Sequence, residues 1–148
     1  MVVFRPAVAQ DLPRILQLFS ELNPDDPALA SQKATGIWNE LLDNPRVRYF
    51  VATDSDKIVG TCHVVAVPNL TRSGRPYAVL ENVVVANSHR RLGVGRELMR
   101  LAIEFARSQA CYKVMLLSNA KRTEAHRFYE RIGFDGSSKR GFVLQLQA

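Results

Sequence analysis

The order of elements legible in the chain, β-α-α-β-β-β-α-β-α-β, predicts an α/β (α+β) protein with a mixed sheet and helices on its faces. Three observations carry this. Apolar runs rich in β-branched residues, at Tyr49 to Thr53, Ile58 to Val67 and Leu80 to Val85, read as strands. Apolar residues at helical spacing, such as Leu98, Leu101, Ala102, Phe105 and Ala106, read as helix faces. No repeat, low-complexity tract or linker interrupts the 148 residues, so one domain, 1–148, around a single core is expected.

Val2 to Phe4 predicts a short first strand. Asp11-Leu12-Pro13 predicts a helix start, with Asp11 as cap and Pro13 in the first turn. Ile15, Leu16, Leu18, Phe19 and Leu22 form the apolar face of that helix, and Asn23-Pro24-Asp25-Asp26-Pro27 ends it. Gln32 to Leu42 resumes helical spacing until Asn44-Pro45, with Trp38 as a packing residue. The turn-rich stretch from Glu21 to Trp38 is a candidate for part of a substrate site. Asp54-Ser55-Asp56-Lys57 joins two strands as a hairpin. Pro68 to Pro76 is an exposed loop, whose Arg72 and Arg75 are either solvated or anchors for an acidic substrate. Lys113 to Leu117 predicts a strand, Glu124 to Ile132 a short helix, and Phe142 to Leu146, which alternates apolar and polar residues, a last strand.

Composition narrows the function classes. The chain is 47% hydrophobic and 23% charged, ordinary for a soluble globular protein, and no apolar run is long enough to span a membrane. The N-terminal stretch lacks the pattern of a secretory signal, so a cytoplasmic location is expected. A net charge of +6 favours an anionic partner. The charge is dispersed, with clusters only at Arg90-Arg91, Lys121-Arg122 and Lys139-Arg140, and no nucleic-acid module accompanies them. A phosphate-bearing small molecule is therefore favoured over nucleic acid. Cys62 and Cys111 are too few and too far apart for a metal motif or disulfide framework, and His63, His89 and His126 show no metal-ligand spacing. No metal is expected.

The chemistry concentrates between Leu80 and Arg107. A β-branched strand runs through Ala-Asn-Ser-His into Arg90-Arg91-Leu92-Gly93-Val94-Gly95-Arg96, and an amphipathic helix follows from Gly95. A helix start carries amides without intrahelical partners and partial positive charge, so it attracts anions. Gly93 and Gly95 allow a sharp bend and close approach of a phosphate, and Arg90, Arg91 and Arg96 add positive charge. This reads as a cradle for a pyrophosphate. A Walker loop is excluded because Gly95 is followed by Arg96-Glu97 rather than Lys and Ser or Thr. The dinucleotide fingerprint fails because Leu98 stands where a third small residue belongs.

The hexapeptide Arg90-Arg91-Leu92-Gly93-Val94-Gly95 resembles the acyl-coenzyme A signature of the GNAT superfamily of N-acetyltransferases. Phe128-Tyr129-Glu130-Arg131-Ile132-Gly133-Phe134 is similar to the aromatic-Tyr and Gly-Phe pattern of the superfamily's last helix. The resemblance covers essentially the whole chain. It implies a GNAT-type mixed, mostly antiparallel central sheet flanked by about four helices. It implies direct acetyl transfer from acetyl-CoA, as co-substrate, to an amine in a ternary complex, with Tyr129 near the cofactor sulfur as candidate acid. The backbone around Val83, Val84 and Val85 would pair with the pantetheine arm, and the amides from Arg91 to Arg96, including those of Leu92 and Val94, would hold the pyrophosphate.

An alkyl amine, with a pKa of about 10, arrives protonated and needs a base. Glu81, the only carboxylate of the central strand, is the candidate, and simple alternation puts it on the face of Val83 and Val85. Holding the substrate ammonium or pairing with an arginine is the alternative role. Asn119 could serve the pantetheine or acetyl group, or simply a turn. Leu117 to Tyr129 and Asp43 to Tyr49 look like the aminoalkylphosphonate N-acetyltransferases, which implies a small amine bearing an anion, with Arg122 on that anion or on a cofactor phosphate. The loop from Pro68 to Arg75 departs from that subfamily, where histidines stand. Aminosugar phosphates, polyamines and protein or peptide amines stay open as acceptors, as does a non-catalytic acyl-CoA sensor. The resemblance also suggests a homodimer.

Overall fold

The structure is a computed structural model, and it describes residues 1–147. The elements are β1 (Val3–Pro6), α1 (Leu12–Leu22), α2 (Ser31–Asp43), β2 (Val47–Asp54), β3 (Lys57–Val67), α3 (Thr71–Gly74), β4 (Tyr77–Val85), α4 (Val94–Ser108), β5 (Val114–Met115) and α5 (Thr123–Ile132). They divide into two compact units, Met1–Met115 and the residues from Leu116 onward.

The first unit holds a five-stranded sheet in the order β1-β2-β3-β4-β5, antiparallel except for the β4–β5 pair. The hairpin between β2 and β3 turns where expected, with Ser55 and Asp56 both at positive φ. Asp and Ser are tolerated there because short polar side chains suit the left-handed region. Tyr49, Val51, Thr61 and His63 share one face of the sheet, since Tyr49 pairs with His63 and Val51 with Thr61. Ile15 and Leu18 of α1 and Trp38 of α2 pack in one core cluster with Tyr49 and Val51. Phe50, Gly60, Cys62 and Val64 lie on the other face. There α4 buries Val94, Leu98, Met99, Ala102 and Ala106, and full burial of Leu98 or Met99 is worth about 1.5–3 kcal/mol each. Gly60 sets how close α4 can come: a Cβ there would stand 3.0 Å from both Leu98 Cδ1 and Val94 Cγ1.

Several expectations need correction. Asp11 makes no side-chain cap on α1. Instead its carboxylate accepts two bonds from the Arg5 guanidinium, at 2.6 and 2.9 Å, and one from the Val8 amide at 2.8 Å. Arg75 donates to the carbonyls of Ala110 and Cys111, and Arg72 lies over the Tyr112 ring, so both serve the fold of their loop. The strand expected at Lys113 to Leu117 is only Val114–Met115.

The second unit contains α5 and the C-terminal segment. Phe142 to Leu146 forms no strand, and Phe142, Leu144 and Leu146 are each more than four-fifths exposed. Alternation marks a segment that could lie on a sheet, but a strand exists only where a neighbouring backbone completes its ladder.

Candidate active site

The strand expected at Leu80 to Val85 is part of β4 and is interrupted near its middle. On β4, Glu81 pairs with His63 and Val84 with Thr61, so Asn82 and Val83 together stand opposite the single residue Cys62. This is a β-bulge, with Asn82 at φ +51. The bulge resets the alternation. Glu81 consequently shares the face of His63, Thr61 and Val84, not that of Val83 and Val85 as simple alternation required. It belongs to the α1/α2 side of the sheet, and it is exposed there.

Around Glu81 the sheet presents aromatic rings. The His63 imidazole stacks on the Tyr49 phenol ring, with centroids 4.3 Å apart and planes 13° from parallel. Tyr49 meets Trp38 edge-on at 5.1 Å, and the Trp38 indole donates to the Ala9 carbonyl at 3.2 Å, confirming Trp38 as a packing residue. Burial pushes the Tyr49 phenol above its ordinary pKa, and the Asn82 side chain acts in the opposite sense. Burial also holds His63 below the usual histidine range. The strained residue of the bulge and the aromatic stack are therefore neighbours of one another, and strain of this kind collects at functional positions.

The β4–β5 ladder consists of Ala78↔Val114 and Val79↔Met115. Beyond Val79, among the described residues, β4 has no ladder partner on that side. The backbone of Val83, Val84 and Val85 thus lies in a stretch of strand edge that an extended ligand could pair with, save that the Val85 carbonyl already accepts from Arg90 Nε at 3.3 Å.

The strand then runs through Asn87–His89, a single 3-10 turn, into the start of α4. Gly93 is the N-cap at φ +81, ψ 0, and space is open around the position its Cβ would occupy. The Glu97 amide donates to the Gly93 carbonyl at 3.1 Å, the first bond of the helix. Val94, Gly95 and Arg96 accordingly have no intrahelical acceptor for their amides. Arg90, Arg91, Leu92 and Arg96 are exposed around this turn, and Arg91 takes φ +63. These residues fit an anion with several oxygens: amide donors at a positive helix end, a glycine that leaves the approach clear, and cationic side chains.

A brace that sequence reading missed supports the turn. His89 Nε2 lies 3.0 Å from Asp54 Oδ2 at the β2–β3 hairpin, and the Ser88 hydroxyl lies 2.8 Å from His89 Nδ1. The His89 bond holds the Asp54 carboxyl below the usual carboxylate range. No spacing rule could have linked residues 35 positions apart. Cys62 is fully buried, with its thiol pushed up to about 12, so it is a core thiol and not a nucleophile.

In the second unit, Tyr129 is half-buried on α5, against Phe128 at 5.3 Å and edge-on to Phe134 at 6.1 Å between ring centroids. Asn119 uses its side-chain oxygen to accept from the Lys121 amide at 2.9 Å, and its carbonyl accepts from the Arg122 amide at 3.0 Å. It builds the turn that leads into α5. Arg122 is exposed. Among the described residues, no group of three or more His, Cys, Asp or Glu could hold a metal, and no helix is long and apolar enough to cross a membrane.

A mixed sheet whose bulged fourth strand runs into a glycine-led helix start points to one class of fold. Residues 13–134 match the model of the Acetyltransferase (GNAT) family, and the chain belongs to that family, whose members use acetyl-CoA as co-substrate. It is 38% identical over 87 residues to glucosamine 6-phosphate N-acetyltransferase of Trypanosoma brucei brucei, a match covering 59% of this chain and 57% of that protein. The match therefore spans little more than half of the curated relative's length. Among solved structures, a chain from Agrobacterium tumefaciens str. C58 assigned as an acetyltransferase is 44% identical, with a TM-score of 0.90 over 97% of this chain and 99% of that one. An acetyltransferase from Trypanosoma brucei is 30% identical, with a TM-score of 0.85 over 99% of this chain and 100% of that one.

Proposed function

We propose that residues 1–148 act as one cytoplasmic N-acetyltransferase domain that moves an acetyl group from acetyl-CoA to a primary amine on a small, phosphate- or phosphonate-bearing molecule. The observation that carries this reading is the start of α4, where the amides of Val94, Gly95 and Arg96 lack intrahelical acceptors behind a glycine at φ +81. The amides from Arg91 to Arg96 hold the pyrophosphate, Arg90 and Arg96 screen its charge, and the edge of Val83 to Val85 pairs with the pantetheine.

Bound acetyl-CoA supplies an acyl carbon activated as a thioester. Glu81 takes one proton from the acceptor ammonium and passes it to solvent, leaving a nucleophilic amine. As the C–N bond forms and the C–S bond breaks, Tyr129 gives its phenolic proton to the departing sulfur. The nitrogen then sheds one of its two remaining protons, keeping the other as the amide N–H, and a proton from solvent restores Tyr129, so that this exchange is neutral. Over the cycle the ammonium loses two protons, one to solvent and one to the coenzyme A thiol.

The acceptor rests on two supports. The similarity to glucosamine 6-phosphate N-acetyltransferase favours an aminosugar phosphate. The resemblance of Leu117 to Tyr129 to aminoalkylphosphonate enzymes favours an aminoalkylphosphonate, and Arg122 suits the anion of either. A thiol-release assay with acetyl-CoA against glucosamine 6-phosphate, 2-aminoethylphosphonate, spermidine and a lysine peptide decides among them. Coenzyme A release only with the anionic amines is the expected result. Absence of release with all four would leave the acyl-CoA sensor reading in its place.

A further inference from the structure

We propose that His63 is a second residue of the acceptor site, a neutral imidazole that hydrogen-bonds the incoming amine beside Glu81. The inference rests on the reading of Glu81 as the residue that meets the acceptor, and it adds a residue that sequence motifs gave no reason to choose.

The first support is placement. His63 and Glu81 are direct partners across the antiparallel β3–β4 pair, on one face of the sheet. Facing residues in such a pair hold their Cβ atoms about 4.5–5.5 Å apart, so one small amine can touch both side chains. The pair closes the unbroken register that runs from Val67↔Tyr77 to His63↔Glu81, and the bulge at Asn82 follows it at once.

The second support is an unmet bond. His63 Nε2 is buried and has no hydrogen-bond partner among the described residues. Buried polar atoms are normally paired, and an exception beside an exposed carboxylate calls for an explanation. The ring rests flat on Tyr49, which is itself held edge-on against Trp38. A half-turn about the Cβ–Cγ bond keeps the imidazole in that plane, and so in the stack, while exchanging Nε2 for Cε1. The stack constrains the plane of the ring but not which of its two edges carries the nitrogens.

The third support is chemical. An imidazolium would repel an ammonium, whereas a neutral imidazole offers it a lone pair. Burial on the Tyr49 ring favours the neutral form. Glu81 then takes the proton, and His63 orients the nitrogen that remains.

The test compares His63→Phe, which keeps a flat ring on Tyr49, with His63→Gln, which keeps a side-chain hydrogen bond. With the acceptor that the thiol-release assay identifies, His63→Phe is expected to lower kcat/KM for the amine by on the order of tenfold. KM for acetyl-CoA and the melting temperature should stay near wild type, and His63→Gln should recover part of the loss. Titration of the wild-type protein with glucosamine 6-phosphate and 2-aminoethylphosphonate, followed by the imidazole 15N signals of His63, reads the contact without turnover. A His63→Phe variant with wild-type kcat/KM for the amine, or His63 signals unmoved by an amine that is turned over, overturns the proposal and leaves the acetyltransferase reading intact. Absence of thiol release with every amine overturns both.

Discussion

The imidazole of His89 reaches across to the carboxylate of Asp54, with Nε2 and Oδ2 3.0 Å apart, and so ties the β2–β3 hairpin to the segment that enters α4. The carboxylate sits below its usual pKa range because of that bond, so it is ionised at neutral pH and the tie is charge-assisted. Asp54→Asn should loosen the approach to the proposed diphosphate cradle without touching the proposed acceptor side. The expected outcome is a rise of about three- to tenfold in KM for acetyl-CoA, with kcat and KM for the amine unchanged, measured by steady-state thiol release.

Gly93 is the point where backbone conformation and the proposed coenzyme A binding meet. At φ +81 an alanine costs about 1–2 kcal/mol, while the open space around the position leaves no clash within the protein. Gly93→Ala should therefore fold with a modestly lowered melting temperature and lose coenzyme A affinity by more than tenfold, as calorimetric titration would show. Unchanged affinity would remove the cradle from the binding site.

Glu81 and Tyr129 divide the proton work in the proposed reaction. Glu81→Gln should lower kcat by roughly a hundredfold or more, and the deficit should shrink at high pH, where more of the amine is already uncharged. Tyr129→Phe should lower kcat with acetyl-CoA while leaving coenzyme A binding intact. Pre-steady-state thiol release, compared with calorimetric titration of coenzyme A, separates the two effects.

Acid sensitivity should originate at Asp11. The Arg5 guanidinium holds its carboxyl below the usual carboxylate range, so the folded state binds that proton less readily than the unfolded chain. Stability from this pair is present above the unfolded value of about 3.9 and is lost as pH falls through the lower folded value. Arg5 is partly exposed, which reduces the effect, and Asp11→Ala should cost about 1–2 kcal/mol at pH 7 by urea titration. That difference should shrink as pH falls below the ordinary carboxylate value and through the lower folded one. His63 adds a second acid-sensitive contribution: its folded pKa lies below the usual 6.5, so the unfolded chain takes up the proton first and stability declines as pH falls through that range.

Much of the architecture was legible because its signals are local. The apolar spacing of Leu98, Ala102, Phe105 and Ala106 could only be satisfied by a helix with one buried face, and α4 buries that face. Asp54-Ser55-Asp56-Lys57 could only be a tight hairpin. Gly93, ahead of an amphipathic run, marked a helix start, and its left-handed conformation is why a residue without Cβ stands there. Glu81 was visible as the one carboxylate of a β-branched strand, but its face was misassigned. Alternation counts residues along one strand, whereas a bulge is a mismatch between two, and nothing in Leu80 to Val85 reveals how many residues Cys62 must face.

The sequence by itself determined most of the elements and their order up to α5, the family resemblance and the glycine turn, because periodicity and turn chemistry are written in neighbouring residues. Only the tertiary structure decided that Glu81 faces His63, that His63 lies on Tyr49, that Asp54 braces His89 and that Phe142 to Leu146 forms no strand. Each of those depends on pairing between segments distant in the chain, and register across a sheet is set by the packing of whole faces.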